Sequence, residues 1–156
     1  MHRQPNDINR LLEQYVTAFA LEFPERKKDS ELLRRVVNYI SPQLADLPKT
    51  IPYYGMIHGD VIRANVQVSN RTKITILDFD LSALGWRIYD IASFLITLHG
   101  PNGIDFKHAY LGGYNAVRPL DSFEQGLIPL FKAIREVRVC REIRQWIFSK
   151  RYHEIR

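Results

Sequence analysis

Residues 56–82 read MIHGDVIRANVQVSNRTKITILDFDLS, and this stretch decides the fold. It holds a His-Gly-Asp triplet at 58–60, then Asn65, and then Asp78 at the start of Asp-Phe-Asp. Runs rich in β-branched residues stand on both sides of the polar segment 69–73, a pattern that predicts a β-hairpin. Asn65 precedes the first strand and Asp78 follows the second. The hairpin should therefore bring these two residues together despite their separation in the chain.

Three polar residues of this stretch have the types and the order that phosphoryl transfer requires. The reaction needs a carboxylate that accepts the proton of the attacking hydroxyl, together with oxygen ligands for Mg²⁺. Asp60, Asn65 and Asp78 follow the order of the kinase pattern H-R-D-x-x-x-x-N and D-F-G, in which a base, an amide ligand and a carboxylate ligand succeed one another. The spacing predicts a phosphoryl-transfer site built on the hairpin.

Residues 56–95 resemble the catalytic core of the aminoglycoside phosphotransferase and choline kinase-like family. That family has the protein-kinase-like fold, with H-G-D-x-x-x-x-N in place of H-R-D-x-x-x-x-N and D-F-D in place of D-F-G. The resemblance implies an ATP- and Mg²⁺-dependent kinase, in which the γ-phosphoryl group of ATP passes to a hydroxyl group of a small-molecule acceptor. Ala64 stands where the family often has glycine before the asparagine.

The resemblance also implies a role for each matching residue. Asp60 would be the catalytic base, and Asn65 and Asp78 would be the Mg²⁺ ligands. His58 would brace the catalytic loop, and Asp90 would be the buried acid that holds the backbone of that loop. Asp80 matches the second aspartate of D-F-D, and we assign it no role.

The expected fold class is α+β: a mainly helical, protein-kinase-like C-terminal lobe whose small β-hairpin carries the catalytic loop. We expect residues 1–156 to form this single lobe, with its core motif at 53–98. Apolar residues at helical spacing predict a first helix from Asn6 or Asp7 to Pro24 and a second from Ser30 to Pro42. Another helix is expected over 91–98.

The N-terminal lobe of a kinase is expected to be absent from this sequence. That lobe supplies a glycine-rich loop over the phosphates and a strand lysine that pairs with them. Gly55 is the first glycine of the chain, and the three lysines before it lie in charged or proline-flanked segments rather than in a strand pattern. We expect the surface around residues 51–57 to be apolar and to mediate self-association or binding of a partner chain.

Two alternative functions stay open at this point. Asp78 and Asp80 at the end of a strand also resemble the first motif of the haloacid-dehalogenase phosphatases, in which they would be nucleophile and acid/base. That interpretation leaves His58, Asp60 and Asn65 unexplained. The second alternative is a kinase-like lobe that is a scaffold, a binding module or a truncated product without catalytic activity.

Composition sets the remaining expectations. The single cysteine, Cys140, excludes an internal disulfide framework, and no apolar run is long enough to span a membrane. We therefore expect a cytoplasmic protein without membrane contact. The formal net charge is +5, and most of it lies in residues 135–156. Arginines at every third position there predict a pair of terminal helices with solvated basic faces rather than a nucleic-acid site.

Overall fold

The computed structural model describes residues 4–70 and 72–153, and for residues 140–153 it describes the helical backbone alone. The described chain groups into two compact units. The first contains residues 4–6 and 48–132, and the second contains residues 7–47 and 133–153. The residues predicted to form the site all belong to the first unit.

The second unit begins with the first predicted helix, which is confirmed. Its opening turn, Asn9–Glu13, is wound as a π-helix, and α1 continues over Gln14–Glu22. The Asp7 side chain accepts a hydrogen bond from the Arg10 N–H at 2.9 Å, which satisfies one of the amides left open at a helix start. Four apolar side chains at helical spacing are buried, as the sequence pattern predicts: Leu11, Leu12, Val16 and Phe19.

Helix α2, Lys27–Ala45, is longer than predicted at both ends. It begins before Ser30 and continues through Pro42, so the predicted stop at this proline is wrong. Proline has no N–H to donate and usually interrupts a helix. Here the buried stripe of Val37 and Ile40 extends to Leu44 beyond the proline. Burying a leucine side chain stabilises by about 1.5–3 kcal/mol, which offsets most of the cost of the missing backbone hydrogen bond.

The first unit contains two separate antiparallel pairs of strands. Strand β2, Val66–Ser69, and strand β3, Lys73–Ile76, form the predicted hairpin, in which Val66 lies opposite Ile76. Strand β1, Tyr54–Ile57, pairs with β4, Ala83–Trp86, in a second two-stranded sheet. The catalytic loop thus runs from the end of one sheet to the start of the other.

Three helices follow β4: α3 at Ile88–Leu95, α4 at Gly103–Val117 and α5 at Ser122–His153. Helix α3 begins three residues earlier than predicted. The core of the first unit is built around Trp86 and Tyr89, whose rings lie 6.0 and 6.5 Å from the ring of Phe131 in α5. This core fixes the position of α3 against the β1–β4 sheet, and α3 carries Asp90.

The basic C-terminal region differs from the prediction. It continues α5 as one helix rather than forming a pair. Arg135 and Arg138 are buried, with 2% and 3% of their surface exposed, and the Arg138 guanidinium lies 4.9 Å from the ring centre of Tyr15. The expectation of solvated basic faces is therefore wrong for these two residues. The side chains of Arg141 and Arg144 lie outside the described residues.

None of the described helices is long and apolar enough to cross a membrane.

Candidate active site

The catalytic loop, residues 58–65, begins at the end of strand β1. The pairing of Ile57 with Ala83 in the β1–β4 sheet fixes this starting point. Gly59 has a positive φ of 82°, and a side chain at this position would overlap the carbonyl group of Leu81. Only glycine takes this conformation without strain and leaves room for the neighbouring chain. The loop thus depends on glycine in the middle of its His-Gly-Asp triplet.

Asp90 holds the first two amides of the loop from the first turn of α3. Its Oδ2 accepts the His58 N–H at 2.7 Å, and its Oδ1 accepts the Gly59 N–H at 2.8 Å. Burial raises the pKa of the Asp90 carboxyl, and the two donated N–H groups lower it by a smaller amount. The carboxylate therefore fixes the loop at a cost in desolvation. This geometry supports the loop-holding role that the resemblance implies for Asp90.

His58 connects the loop to the segment that carries Asp78. Its Nδ1 accepts the Asp60 N–H at 3.3 Å, which assigns the ring proton to Nε2. Nε2 lies 3.0 Å from the Leu77 carbonyl oxygen and can donate to it. The imidazole also lies 4.4 Å from the ring of Phe79. His58 therefore links the catalytic loop to the segment that carries Asp78, in keeping with the bracing role that the resemblance implies.

Asp60 and Asn65 are joined directly. The Asn65 Nδ2 donates to the Asp60 backbone oxygen at 3.0 Å and to the Asp60 Oδ2 at 3.2 Å. The Asn65 amide is thereby oriented with its nitrogen toward the aspartate, which leaves the side-chain oxygen for another partner. The Leu77 N–H donates to the Asn65 carbonyl oxygen at 2.9 Å, so Asn65 lies beside the residue that precedes Asp78.

Asp78 follows strand β3 with a positive φ of 63°, and its side chain is exposed. Among the described residues, no three His, Cys, Asp or Glu side chains form a group that could hold a metal ion. Mg²⁺ does not require such a cage, because it commonly binds one or two protein carboxylates and fills its shell with water and phosphate oxygens. The Asn65 side-chain oxygen and the Asp78 carboxylate suit that kind of site. The convergence of their oxygen atoms on one ion stays a prediction.

Ser82 also contributes to the loop, and the sequence analysis missed it. Its hydroxyl donates to the His58 carbonyl oxygen at 3.2 Å. This contact depends on β4, because the pairing of Ala83 with Ile57 brings the preceding residue beside the loop. The segment Ala83–Trp86 has no β-branched residue that would predict a strand. The position of Ser82 could therefore not be inferred before the sheet was known.

The segment 51–57 is only partly exposed. Ile51 and Met56 are exposed by 84% and 68%. Tyr53 is half-buried, and its ring lies 5.3 Å from the ring of Phe123 in an edge-to-face arrangement. Tyr54 is also half-buried, and its ring centre lies 5.5 Å from the ring centre of Trp86. The predicted apolar surface is therefore smaller than expected, and its use for self-association or partner binding stays a prediction.

Comparison with known proteins gives a family. A sequence model of the phosphotransferase enzyme family matches residues 2–123. The chain belongs to this family. The segment matched includes the complete loop and hairpin of the candidate site, so the alternative of a haloacid-dehalogenase phosphatase no longer applies. The pairing of β3 in a two-stranded antiparallel hairpin agrees with the kinase interpretation.

This member of the phosphotransferase enzyme family also resembles longer proteins. It is 30% identical over 125 residues to an uncharacterized protein of Synechocystis, covering 80% of the chain and 35% of that protein. It is 30% identical over 137 residues to a protein of Phenylobacterium zucineum named homoserine kinase, covering 82% of the chain and 40% of that protein. The chain therefore spans about two fifths or less of the length of these relatives.

Two solved kinases share the fold of this chain. A microcompartment-associated aminopropanol kinase matches with a TM-score of 0.59 and 25% identity over 70% of the chain and 35% of its own length. The amicoumacin kinase hAmiN, in complex with AMP-PNP, Ca²⁺ and Ami, matches with a TM-score of 0.68 and 19% identity over 92% of the chain and 43% of its own length. The predicted kinase-like, mainly helical fold is confirmed, and the chain corresponds to part of each of these two longer proteins.

Proposed function

We propose that this chain is the catalytic lobe of a kinase that transfers the γ-phosphoryl group of ATP to a hydroxyl group of a small molecule. The observation that carries the proposal is the arrangement of the catalytic loop. Asp90 holds the backbone of His58 and Gly59, and Asn65 donates to the carboxylate of Asp60. A loop that is fixed before the substrate binds can position a base without further reorganisation.

In this proposal, Asp60 accepts the proton of the attacking hydroxyl. The Asn65 side-chain amide orients the Asp60 carboxylate through its nitrogen and offers its oxygen to the metal ion. Asp78 supplies the second protein oxygen from the end of β3. Bound Mg²⁺ would neutralise the charge of the transferring phosphoryl group, which is most of what this reaction asks of a catalyst.

The acceptor class is proposed from the relatives. One relative is named a homoserine kinase and one structural neighbour an aminopropanol kinase. Both names describe small alcohols that also carry an amine. A small hydroxyl compound is therefore the acceptor that these names support.

We expect the isolated chain to bind ATP weakly and to turn it over slowly or not at all. The three lysines that precede His58 are Lys27 and Lys28 in α2 and Lys49 beside Trp86. None of these three lysines lies in a strand, so the strand lysine that pairs with the phosphates in kinases has no counterpart here. Much of the positioning of the nucleotide would then depend on a partner chain or on further sequence.

The test uses ¹⁵N-labelled chain and records amide signals by two-dimensional NMR during titration with ATP and Mg²⁺. A trace of Mn²⁺ in place of Mg²⁺ then broadens the signals of residues near the ion. We expect broadening over residues 58–65 and 77–79. Asp78→Asn should abolish it, because one of the two protein oxygens is lost. Asp46→Asn is the matched control, since Asp46 is an exposed aspartate in the other unit, and it should leave the broadening unchanged.

Transfer is measured separately with γ-labelled ATP and 1-amino-2-propanol or homoserine. Any transfer should fall by about 100-fold or more in Asp60→Asn, since a positioned base contributes about 10²–10⁴-fold. Broadening that is equal in the native chain and in Asp78→Asn would contradict the metal assignment. Metal-dependent broadening without detectable transfer would favour an incomplete kinase, whereas the absence of both broadening and transfer would favour the non-catalytic scaffold as the function of the chain alone.

A further inference from the structure

A groove of about 510 Å³ lies within the first unit, along the β2–β3 hairpin. Its volume is within the range of pockets that bind small organic molecules, about 300–1,000 Å³. Asp60, Asn65 and Asp78 are not among the described residues that line it. The groove is therefore a candidate site for a second ligand, separate from the residues to which the proposed function assigns the chemistry.

The β2–β3 hairpin presents an apolar face to the groove. Side chains alternate between the two faces of a strand, and Val66 pairs with Ile76 and Val68 with Ile74. These four residues therefore share one face, and all of them line the groove. Val68 and Ile74 are nevertheless 63% and 66% exposed. The described part of the chain thus leaves much of this apolar face uncovered.

Helices α3 and α4 supply aromatic side chains to the same groove. The rings of Phe94 in α3 and Tyr110 in α4 are stacked, with 4.1 Å between their centres and 25° between their planes. Phe106, one turn before Tyr110 on α4, also lines the groove and is exposed. Rings that hold one another in place form a surface before any ligand binds, which lowers the entropic cost of binding. A flat apolar or aromatic body suits such a surface.

Arg63 is the one charged residue among the described residues that line the groove. Its guanidinium lies 5.1 Å from the ring centre of Phe106, a distance at which a cation is attracted to an aromatic face. Within residues 4–70 and 72–139, no carboxylate forms an ion pair with Arg63. The groove therefore carries one positive charge that no acidic side chain of the described chain neutralises.

This single charge selects the charge of the ligand. Arginine binds carboxylates and phosphates through parallel N–H donors. A phosphate monoester carries more than one negative charge at neutral pH, and no second cation lines the groove in the part of the chain that the structure describes. The surplus charge would lie against valine and isoleucine side chains, where a charged group is costly. A carboxylate, which has one negative charge, is matched by Arg63 alone.

We propose that this groove is a binding site for a compound with a flat apolar or aromatic body and one carboxylate, which the protein binds without reacting with it. The hairpin face and the Phe94–Tyr110 stack contact the apolar body, and Arg63 pairs with the carboxylate. Val61 and Arg63 belong to the catalytic loop, so an occupied groove adds contacts to that loop. The inference goes beyond the proposed function and does not depend on it.

The probes are 1-naphthaleneacetate and its neutral analogue 1-naphthaleneacetamide, which share an aromatic body and differ in charge. Neither probe has a hydroxyl group that could accept phosphate. Binding is measured with ¹⁵N-labelled chain, without metal or nucleotide, by shifts of amide signals. Ligands of this size should bind with a dissociation constant on the order of 1 mM or below, a range that this method measures. We expect shifts at Val61, Val68 and Tyr110, and tighter binding of the anionic probe.

A first set of variants tests the charge. Arg63→Gln should weaken the acetate about tenfold, the size of effect given by one charge-assisted contact at an exposed site. The acetamide should change by less than about twofold. Arg63→Lys keeps the charge and loses the planar fork, so it should restore part of the acetate affinity. Equal weakening of both probes by Arg63→Gln would overturn the assignment of a carboxylate to Arg63.

A second pair of variants tests the apolar face. Ile74→Glu places a charged group in the groove and should weaken both probes about tenfold or more. Thr75→Glu places the same charge on the opposite face of the same strand and should leave binding unchanged. Both native side chains are exposed, so neither change removes a buried contact, and the amide spectrum of each variant verifies its fold. Equal effects of the two variants would overturn the inference.

Two further results would also overturn it. Probe shifts confined to Met56 and Leu84, which are exposed apolar residues of the β1–β4 sheet, would place the probes on another surface. Concentration-dependent light scattering that Ile74→Glu abolishes would show that the hairpin face binds a second copy of the chain. The kinase proposal is tested separately, because Mn²⁺-dependent broadening is recorded without these probes and bears on Asp78 and the nucleotide site.

Discussion

Gly59→Ala should destabilise the chain more than any ordinary glycine replacement, because two separate costs fall on this residue. Its φ is 82°, a region that costs an L-residue about 1–2 kcal/mol. The added methyl group would also overlap the Leu81 carbonyl oxygen and lie 3.0 Å from the Leu81 carbonyl carbon. Relief of the overlap with the carbonyl oxygen requires a shift on the order of 1 Å, since unstrained contacts begin at about 3.5 Å. The Gly59 N–H cannot follow such a shift and keep its 2.8 Å hydrogen bond to Asp90.

The second cost is the loss of the hydrogen bond from the Gly59 N–H to Asp90. A bond to a charged group contributes about 1.5–3 kcal/mol, so the two costs of Gly59→Ala sum to about 2.5–5 kcal/mol. Gly100→Ala is the matched control. Gly100 has a similar φ of 90°, and nothing lies within 4 Å of the position of its added methyl group, so the control should lose about 1–2 kcal/mol from backbone strain alone.

Urea denaturation, followed by tryptophan fluorescence, measures both losses in the free energy of unfolding. The Mn²⁺ broadening experiment should show loss of the signal pattern over residues 58–65 in Gly59→Ala and its retention in Gly100→Ala. A loss for Gly59→Ala that is no larger than that for Gly100→Ala would refute the reasoning. The Leu81 segment would then yield to the methyl group without cost, and the loop would not be fixed by this contact.

Asp90→Asn should lower the free energy of unfolding by less than about 2 kcal/mol at neutral pH. The variant leaves one N–H group of the loop without an acceptor, but it also removes the cost of burying a charged carboxylate. The pKa of Asp90 is raised above its usual 3.8. The difference in the free energy of unfolding between the native chain and this variant should therefore shrink as the pH rises from 3.8 through the folded pKa. Urea titrations at several pH values measure this difference, and faster amide exchange at Gly59 in the variant would show the loosened loop. Arg118→Leu should cost about 3–5 kcal/mol, because it leaves the buried carboxylate of Glu124 without its bidentate partner. The double variant with Glu124→Leu should recover most of that loss in the same assay. Gly112→Ala should raise the free energy of unfolding by about 0.5–1 kcal/mol, since the position is helical and open space surrounds it.

The parts of the fold that local pattern determines could be predicted from the sequence. The hairpin follows from two runs of β-branched residues around a polar turn, and the order of Asp60, Asn65 and Asp78 follows from the chemistry of phosphoryl transfer. The first helix follows from apolar spacing and a proline stop. These signals lie within a few residues of the structure that they specify, so no knowledge of tertiary contacts was needed.

The remaining features depend on contacts between distant residues. Strand β4 forms because Ala83–Trp86 pairs with β1, and its sequence has no strand pattern of its own. Helix α2 continues past Pro42 because burial of Leu44 offsets a lost hydrogen bond. Arg135 was predicted to be solvated and is buried, since helical spacing alone does not tell which face of α5 meets protein. In each case a tertiary contact overrides the local preference.

The residues that hold the catalytic loop lie close together in sequence. Hydrogen bonds join the loop to Leu77, Ser82 and Asp90, and all of these residues belong to the first unit. The geometry of the proposed base and of the proposed metal ligands is therefore specified inside the chain, whereas positioning of the nucleotide phosphates in a kinase also needs a glycine-rich loop and a strand lysine. Under the proposed function, the chain would hold a formed metal site and still transfer phosphate slowly. A low rate alone would not separate an incomplete kinase from a scaffold. The metal-dependent broadening at residues 58–65 separates an incomplete kinase from a scaffold, because a scaffold has no need of oxygens from Asn65 and Asp78 that are directed at one ion.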